Sequence, residues 1–316
     1  MNKVILKMLG ATLLWASVFH VGKYALQELP PLVVMSWRNG AAGILLILLT
    51  WPALRQHWQQ IRAHATILLI LALTGVAGFS AFMFYGLATT TPVNAALITA
   101  FNPALIVLLS AWANRERIGL MQAAGLVLGL CGVLVVVTHG SMQALLNLHI
   151  ARGDVLVAGA ALCWAIYCVL PKRYVRGLPS AVLSSTTVAL AGAMLTLTAF
   201  AATPEMYHLP RPGMIVVLLF LGLMGTVIPY LWWNSGVLVL GPARAGIYMN
   251  LVPIFASLIG MLTGSSLQGS QLAGALMVIA GVCLTSQGAA WWAAINRRLR
   301  TADTPPVRVC TVDRSS

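Results

Sequence analysis

The chain repeats itself. With an offset of 149, Gly10-Ala11, Leu13, Trp15-Ala16, Lys23 and Leu29-Pro30 recur as Gly159-Ala160, Leu162, Trp164-Ala165, Lys172 and Leu178-Pro179. The match then continues at an offset of 150, where Leu71, Gly75, Gly86, Pro92, Ala95, Pro103 and Ala123 recur as Leu221, Gly225, Gly236, Pro242, Ala245, Pro253 and Ala273. A duplication of this kind restricts the fold to two similar halves, and both are too apolar to have water as their solvent. Hydrophobic residues make up 59% of the chain and charged residues 8%, against roughly 25% charged in a soluble domain. Such a composition builds an integral membrane protein. A duplicated bundle of apolar helices is a common plan for a transporter, because two similar halves rock about a site held between them.

Crossing a hydrocarbon core of about 30 Å takes about 20 helical residues. Uninterrupted apolar length predicts ten helices, at about 4–26, 32–50, 66–88, 92–113, 120–138, 153–175, 180–202, 213–236, 242–264 and 269–291. The uncharged stretch from Ala65 to Asn114 has to be cut, since some 50 helical residues would be about 75 Å long. Thr89-Thr90-Thr91-Pro92 supplies the break, with Pro at the first helical position. Gly264-Ser265-Ser266 divides the stretch 245–296 in the same way. Lys3 and Lys7 precede an apolar run as in a signal peptide, but no small-x-small cleavage site follows, so this run is read as the first helix. The expected fold is an all-α integral membrane protein with ten transmembrane helices in two five-helix repeats, 1–138 and 153–291, and a disordered tail, 292–316.

Basic residues orient these helices. With the N-terminus inside, cytoplasmic segments collect Lys3, Lys7, Arg55, Arg62, Arg115, Arg117, Lys172, Arg173, Arg176, Arg244 and the five arginines of the tail. Lys23, Arg152 and Arg211 fall outside, and Arg38 lies within the second helix. This bias predicts both termini in the cytoplasm. Five helices per repeat is an odd number, so the two repeats are expected to be inverted. The net charge of +13 then reflects topology and anionic headgroups, and no basic domain supports nucleic-acid binding.

The residues that mark an enzyme are missing from the sequence. No pair of histidines stands at ligand spacing beside a carboxylate, no Gly-x-x-x-x-Gly-Lys-Ser/Thr loop occurs, and no nucleophile–base constellation is visible. Cys131, Cys163, Cys168 and Cys283 fall in predicted helices and Cys310 in the tail, which speaks for packing residues and against a disulfide framework. Neither a metal nor a cofactor is expected.

Polar and aromatic side chains instead recur at helical spacing. The eighth helix carries Thr226, Tyr230 and Trp233 at i, i+4 and i+7, with Asn234 beside them. The first offers Thr12, Trp15 and Phe19, the sixth Trp164, Tyr167 and Cys168, the fourth Thr99 and Asn102, and the ninth Asn250 and Ser257. Asn or Tyr facing lipid is costly, so these stripes are expected to face the interior and line a cavity suited to a small amphipathic organic molecule. Packing glue and interfacial anchoring are the alternative uses of the same residue types.

Arg38, the one charge well inside a span, reads either as a counter-ion for a substrate carboxylate or as a side chain snorkelling to the outer interface. Pro103, Pro253 and Pro229 free the carbonyls of Thr99, Met249 and Gly225, and the paired Pro103 and Pro253 are candidate hinges. All six acids fall in loops, at helix ends or in the tail, so no buried carboxylate is expected as a proton relay. His20 is the candidate titrating group within a span. Gly125, Gly129 and Gly132 offer a close-packing face for a second copy or for a neighbouring helix, leaving monomer and homodimer both open.

Trp15, Trp37-Arg38, Asn102-Pro103, the run Asn114-Arg115-Glu116 and the duplicated helix plan make the chain resemble the EamA-type branch of the drug/metabolite transporter superfamily over about residues 4–291. That family commonly carries a Pro in the fourth helix of each repeat and an acidic pair where that helix ends. Pro103 and Glu116 fit the first repeat and Pro253 the second, whereas Ser266 stands where the second acid would be. The resemblance implies a secondary transporter of the inner membrane that exports small metabolites such as amino acids or their analogues. An importer or exchanger on the same fold is the alternative, with a non-transporting membrane scaffold beyond it.

Overall fold

The computed structural model describes residues 2–87, 89, 98–99, 101–115, 118–138, 140–146, 152–175, 177–204, 210–262, 269–270 and 272–285. The predicted breaks at Thr90-Thr91-Pro92 and at Gly264-Ser265-Ser266, the acid Glu116 and the tail 292–316 lie outside the described residues. Every regular element among the described residues is helical. The apolar helices are α1 (Asn2–Ala25), α2 (Pro31–Gln56), α3 (Ala65–Gly86), α4 (Asn102–Asn114), α5 (Leu120–Thr138), α6 (Arg152–Tyr174), α7 (Ser180–Ala202), α8 (Pro212–Leu240), α9 (Pro242–Gly260) and α10 (Leu272–Thr285). Eight are long and apolar enough to cross a membrane, and α4 and α10 are shorter. Large apolar side chains such as Leu48, Leu49, Leu197 and Phe200 stand exposed on the outer surface, where a bilayer would cover them.

Several boundaries differ from the sequence reading. α2 runs six residues beyond the expected end at 50, to Gln56, and the chain turns at His57 into a short helix, Trp58–Ala63. The arginines and glutamines here are good helix formers, so loss of hydropathy does not end the helix. α8 continues to Leu240 and stops where Gly241 takes a φ of +80° and donates its N–H to the Val237 carbonyl at 2.9 Å. This is a conformation that glycine adopts without a Cβ penalty. Arg115 ends α4 in the left-handed helical region, at φ 54°, without that freedom.

The packing sets helices of one half against helices of the other. α1 packs on α8 and α9, and α6 packs on α3 and α4; α2 lies along α7, and α4 meets α9. α5 and α10 cross through glycines: a Cβ on Gly132 would lie 2.6 Å from the Gly274 carbonyl, and one on Gly281 2.6 Å from that of Gly125. The small-residue face of Gly125, Gly129 and Gly132 is therefore spent inside the subunit, against α10 and α9. Backbone approach of this kind is how helices associate where lipid removes the hydrophobic drive.

Two helices share the same irregularity. α3 passes through a π-helical turn at Leu73–Gly78 and α8 through one at Leu223–Val227, positions related by the repeat. Widened turns of this type leave carbonyls without their usual partner. At Pro103, α4 begins its regular run just after a turn at Phe101; ahead of Pro253, α9 tightens into a 3₁₀ turn, Ile247–Asn250. One expectation is corrected: Asp154, in the first turn of α6, is buried. The α6 N-terminus is pressed against the end of α3, where a Cβ on Gly153 would meet the Gly86 carbonyl at 2.4 Å.

Candidate substrate site

α1, α6 and α8 bring their aromatic stripes to one point. Trp15 lies with its ring centroid 5.2 Å from Trp164, 5.2 Å from Trp233 and 6.2 Å from Tyr230. Trp164 stacks on Tyr167 at 5.6 Å and meets Tyr230 edge-on at 5.9 Å, while Phe79 of α3 closes the group 5.3 Å from Trp164. Edge-to-face and offset geometries of this kind suit the aromatic quadrupole. Trp164, Tyr167, Tyr230 and Trp233 are buried and Trp15 is half-buried. In this conformation the rings fill the space that the sequence reading assigns to a cavity.

A polar network holds the cluster from behind. The Asn234 side-chain amide donates to the Tyr167 hydroxyl at 2.7 Å and to the Ser184 hydroxyl at 2.8 Å. Ser184 donates in turn to the Tyr230 carbonyl at 3.2 Å, and Tyr167 faces the Thr187 hydroxyl at 3.4 Å. Ser184 and Thr187 were not singled out in the sequence. They look like ordinary polar helix residues there, and only the closeness of α7 to α6 and α8 gives them a role. Asn234 also borders a small crevice of about 50 Å³ with Pro171, Lys172 and Leu183.

Both π-helical turns are completed from the opposite half. The Tyr230 hydroxyl donates to the Gly75 carbonyl at 2.8 Å. The Gly225 carbonyl, which Pro229 leaves free, receives Arg38 Nη2 at 2.9 Å and Trp15 Nε1 at 3.2 Å. Arg38 Nε donates to the Thr226 hydroxyl at 2.9 Å. The arginine is 8% exposed and its described partners are neutral. Its side chain turns inward onto α8.

Other predicted residues stand apart from this group. Asn250 is buried and faces Gly129 of α5, and among the described residues neither of its amide atoms, nor the Oδ1 of the buried Asn102, has a hydrogen-bond partner. Thr99 is half-buried, Pro103 is buried and Pro253 half-buried. His20 is exposed on α1, its Nδ1 3.4 Å from the Ala16 carbonyl. The side chain of Phe19 lies outside what the structure describes. At the surface, Arg211 before α8 pairs with Glu28, its Nε donating to Oε2 at 3.0 Å, and this bond and charge hold the guanidinium above its ordinary value. No group of three or more metal-binding side chains gathers among the described residues.

Fold and centre together define a multi-pass helical membrane protein whose interior is aromatic and cationic. The chain belongs to the EamA-like transporter family, whose model matches residues 2–138 and again 151–287. It is 31% identical over 288 residues to the uncharacterized transporter YyaM of Bacillus subtilis, covering 90% of this chain and 93% of that one. It is 28% identical to a probable amino-acid metabolite efflux pump of Salmonella typhimurium, over 87% of this chain and 91% of the other. Similarity to the aromatic amino acid exporter YddG of Ancylobacter novellus is 26%, over 86% and 92%. A crystal structure with 21% identity superposes with a TM-score of 0.73 over 90% of this chain and 97% of that one. Family and relatives are transporters, not enzymes.

Proposed function

We propose that this chain is a secondary transporter of the inner membrane that exports small organic metabolites, with amino acids or their analogues as the leading class. Its ten helices form two inverted five-helix repeats, 1–138 and 153–291, with both termini cytoplasmic, and alternating access exposes one central site to each side in turn. The observation that carries this reading is the convergence of Trp15, Trp164, Tyr167, Tyr230 and Trp233 beside Arg38, between helices drawn from both halves. Rings supply apolar faces, and Asn234 and Arg38 supply the few polar groups that orient a small ligand, with Thr226 at the edge of the site. The efflux functions named for the relatives in Salmonella and Ancylobacter support the outward direction. Pro103 and Pro253 serve as hinges beside the site; Thr99, Asn102, Asn250 and Phe19 belong to the pathway, and His20 remains the candidate for proton coupling.

Metabolite profiling of medium and cytoplasm tests this directly, comparing cells that express the parent chain, a Trp15→Ala variant at matched membrane level, and an empty control. A compound enriched in the medium with the parent and not with the variant is expected. Identical profiles in all three would refute export through this centre.

A further inference from the structure

Arg38 is a cation 8% exposed inside an apolar bundle. A buried charge costs several kcal/mol unless it is well paired, and the described partners here are a hydroxyl and a peptide carbonyl. The geometry of that pairing is informative. Nε and Nη2 form one edge of the guanidinium, and this edge grips a carboxylate through two parallel hydrogen bonds. In this structure Thr226 Oγ1 and the Gly225 carbonyl oxygen, each at 2.9 Å, occupy the two acceptor positions of that edge.

The surroundings allow the edge to be vacated. The Gly225 carbonyl keeps Trp15 Nε1 as a donor at 3.2 Å when the guanidinium leaves, so it is not orphaned in the bundle. Thr226 lies in the π-helical turn of α8, where a threonine hydroxyl can fall back on a carbonyl of the preceding turn. A carboxylate would exchange neutral hydrogen bonds for charge-assisted ones, which are roughly twice as strong. A second sign that the centre is built for a ligand is Trp164 Nε1, a buried donor with no acceptor among the described residues, in a ring 5.2 Å centroid-to-centroid from Trp15.

We infer that Arg38 is the specificity-determining receptor for a carboxylate on the transported molecule, and that its bonds to Gly225 and Thr226 form a latch which that carboxylate displaces. The inference rests on the reading of this centre as a substrate site. It adds that ligands lacking the carboxylate are rejected and that binding frees α8 from α2.

The test uses purified full-length protein in detergent, with binding followed by tryptophan fluorescence. Matched probe pairs differ only in carboxylate against carboxamide: L-phenylalanine and its amide, L-leucine and its amide, 3-phenylpropionate and its amide. At least one carboxylate should bind the parent roughly tenfold or more tightly than its amide, a difference of about 1.4 kcal/mol. Arg38→Gln should abolish the preference, and Arg38→Lys, which keeps the charge and loses the edge, should reduce it. Thr226→Val should act in the opposite direction, tightening carboxylate binding about threefold to tenfold by removing a competitor for Nε. This gain shows that the readout is not general loss of fold. Equal binding of acids and amides, a preference that survives Arg38→Gln, or no binding by any carboxylate overturns the inference. Flux in proteoliposomes separates it from the transport reading: preference without flux sinks transport alone, whereas flux without preference sinks the carboxylate receptor alone.

Discussion

Gly75 and Gly225 are repeat-related, yet alanine at the two positions should have unequal effects. A Cβ on Gly75 would lie 2.0, 2.1 and 2.5 Å from Cδ2, Cγ and Cβ of Tyr167. Ordinary contact begins near 3.5 Å, so the tyrosine must retreat by more than 1 Å. It has little room, because its hydroxyl is tied to Asn234 at 2.7 Å and its ring is stacked on Trp164. Overpacking costs about 1–3 kcal/mol, and losing the Asn234 bond adds about 1 kcal/mol. Gly75→Ala should therefore destabilise by about 2–4 kcal/mol, a fall in Tm on the order of 5 °C. At Gly225 the nearest atom is a Val18 methyl at 2.7 Å, with Arg38 at 3.6 Å, and a side-chain end of this kind gives way. That variant should stay within about 1 kcal/mol of the parent. The assay is thermal unfolding of the purified protein in detergent, with Tyr167→Ala and the Gly75→Ala/Tyr167→Ala double variant completing a cycle. The double variant should cost less than the sum of the singles. Equal Tm for the two alanine variants, or strict additivity in the cycle, would refute the reasoning.

Tyr230→Phe removes the hydroxyl that donates to the Gly75 carbonyl of the first π-helical turn, so it should lower stability by about 1–3 kcal/mol in the same assay. Arg115→Gly relieves the left-handed conformation at φ 54° and should raise stability by about 1 kcal/mol. Gly132→Leu sets a side chain against the Gly274 backbone; it should give aggregated protein on size-exclusion chromatography, and a stable smaller species would instead mean that this face joins two subunits. Fusions of green fluorescent protein and of alkaline phosphatase after Ser316 should be fluorescent and inactive, respectively, and the converse result would reverse the proposed topology.

Much of the centre was legible because one helix carries its own period. Thr226, Tyr230, Trp233 and Asn234 share a face through spacing alone, and the freed carbonyl of Gly225 follows from Pro229 alone. What takes that carbonyl could not be read, since Arg38 stands 187 residues away and a sequence does not state which helices touch. The π-helical turn at Leu73–Gly78 was equally hidden. Phe79 occupies the place of Pro229, so no missing N–H announces it, and its surroundings, Tyr167 against Gly75 and Tyr230 donating to the Gly75 carbonyl, come from distant parts of the chain. The same gap explains Asn250, whose face was inferred from polarity while its side chain lies against Gly129, and Asp154, which its place at a helix end left out of the buried carboxylates.

The cross-bonding of the two turns bears on how such a protein avoids leaking. Gly75 of the first half is completed by Tyr230 of the second, and Gly225 of the second half by Trp15 and Arg38 of the first. Inside a bilayer an unmet carbonyl costs several kcal/mol, so halves joined in this way do not part at random. On the proposed mechanism a carboxylate that takes over Arg38 supplies new hydrogen bonds as the old ones break, and only Trp15 Nε1 continues to hold Gly225. Two of the bonds between α2 and α8 are then gone, while α3 and α8 stay linked through Tyr230. Movement should therefore begin where α2 meets α8, and the Gly75 side should yield only afterwards. That order follows from unequal donors on the two turns, one hydroxyl against a guanidinium and an indole, and not from the turns themselves, which recur at repeat-related positions.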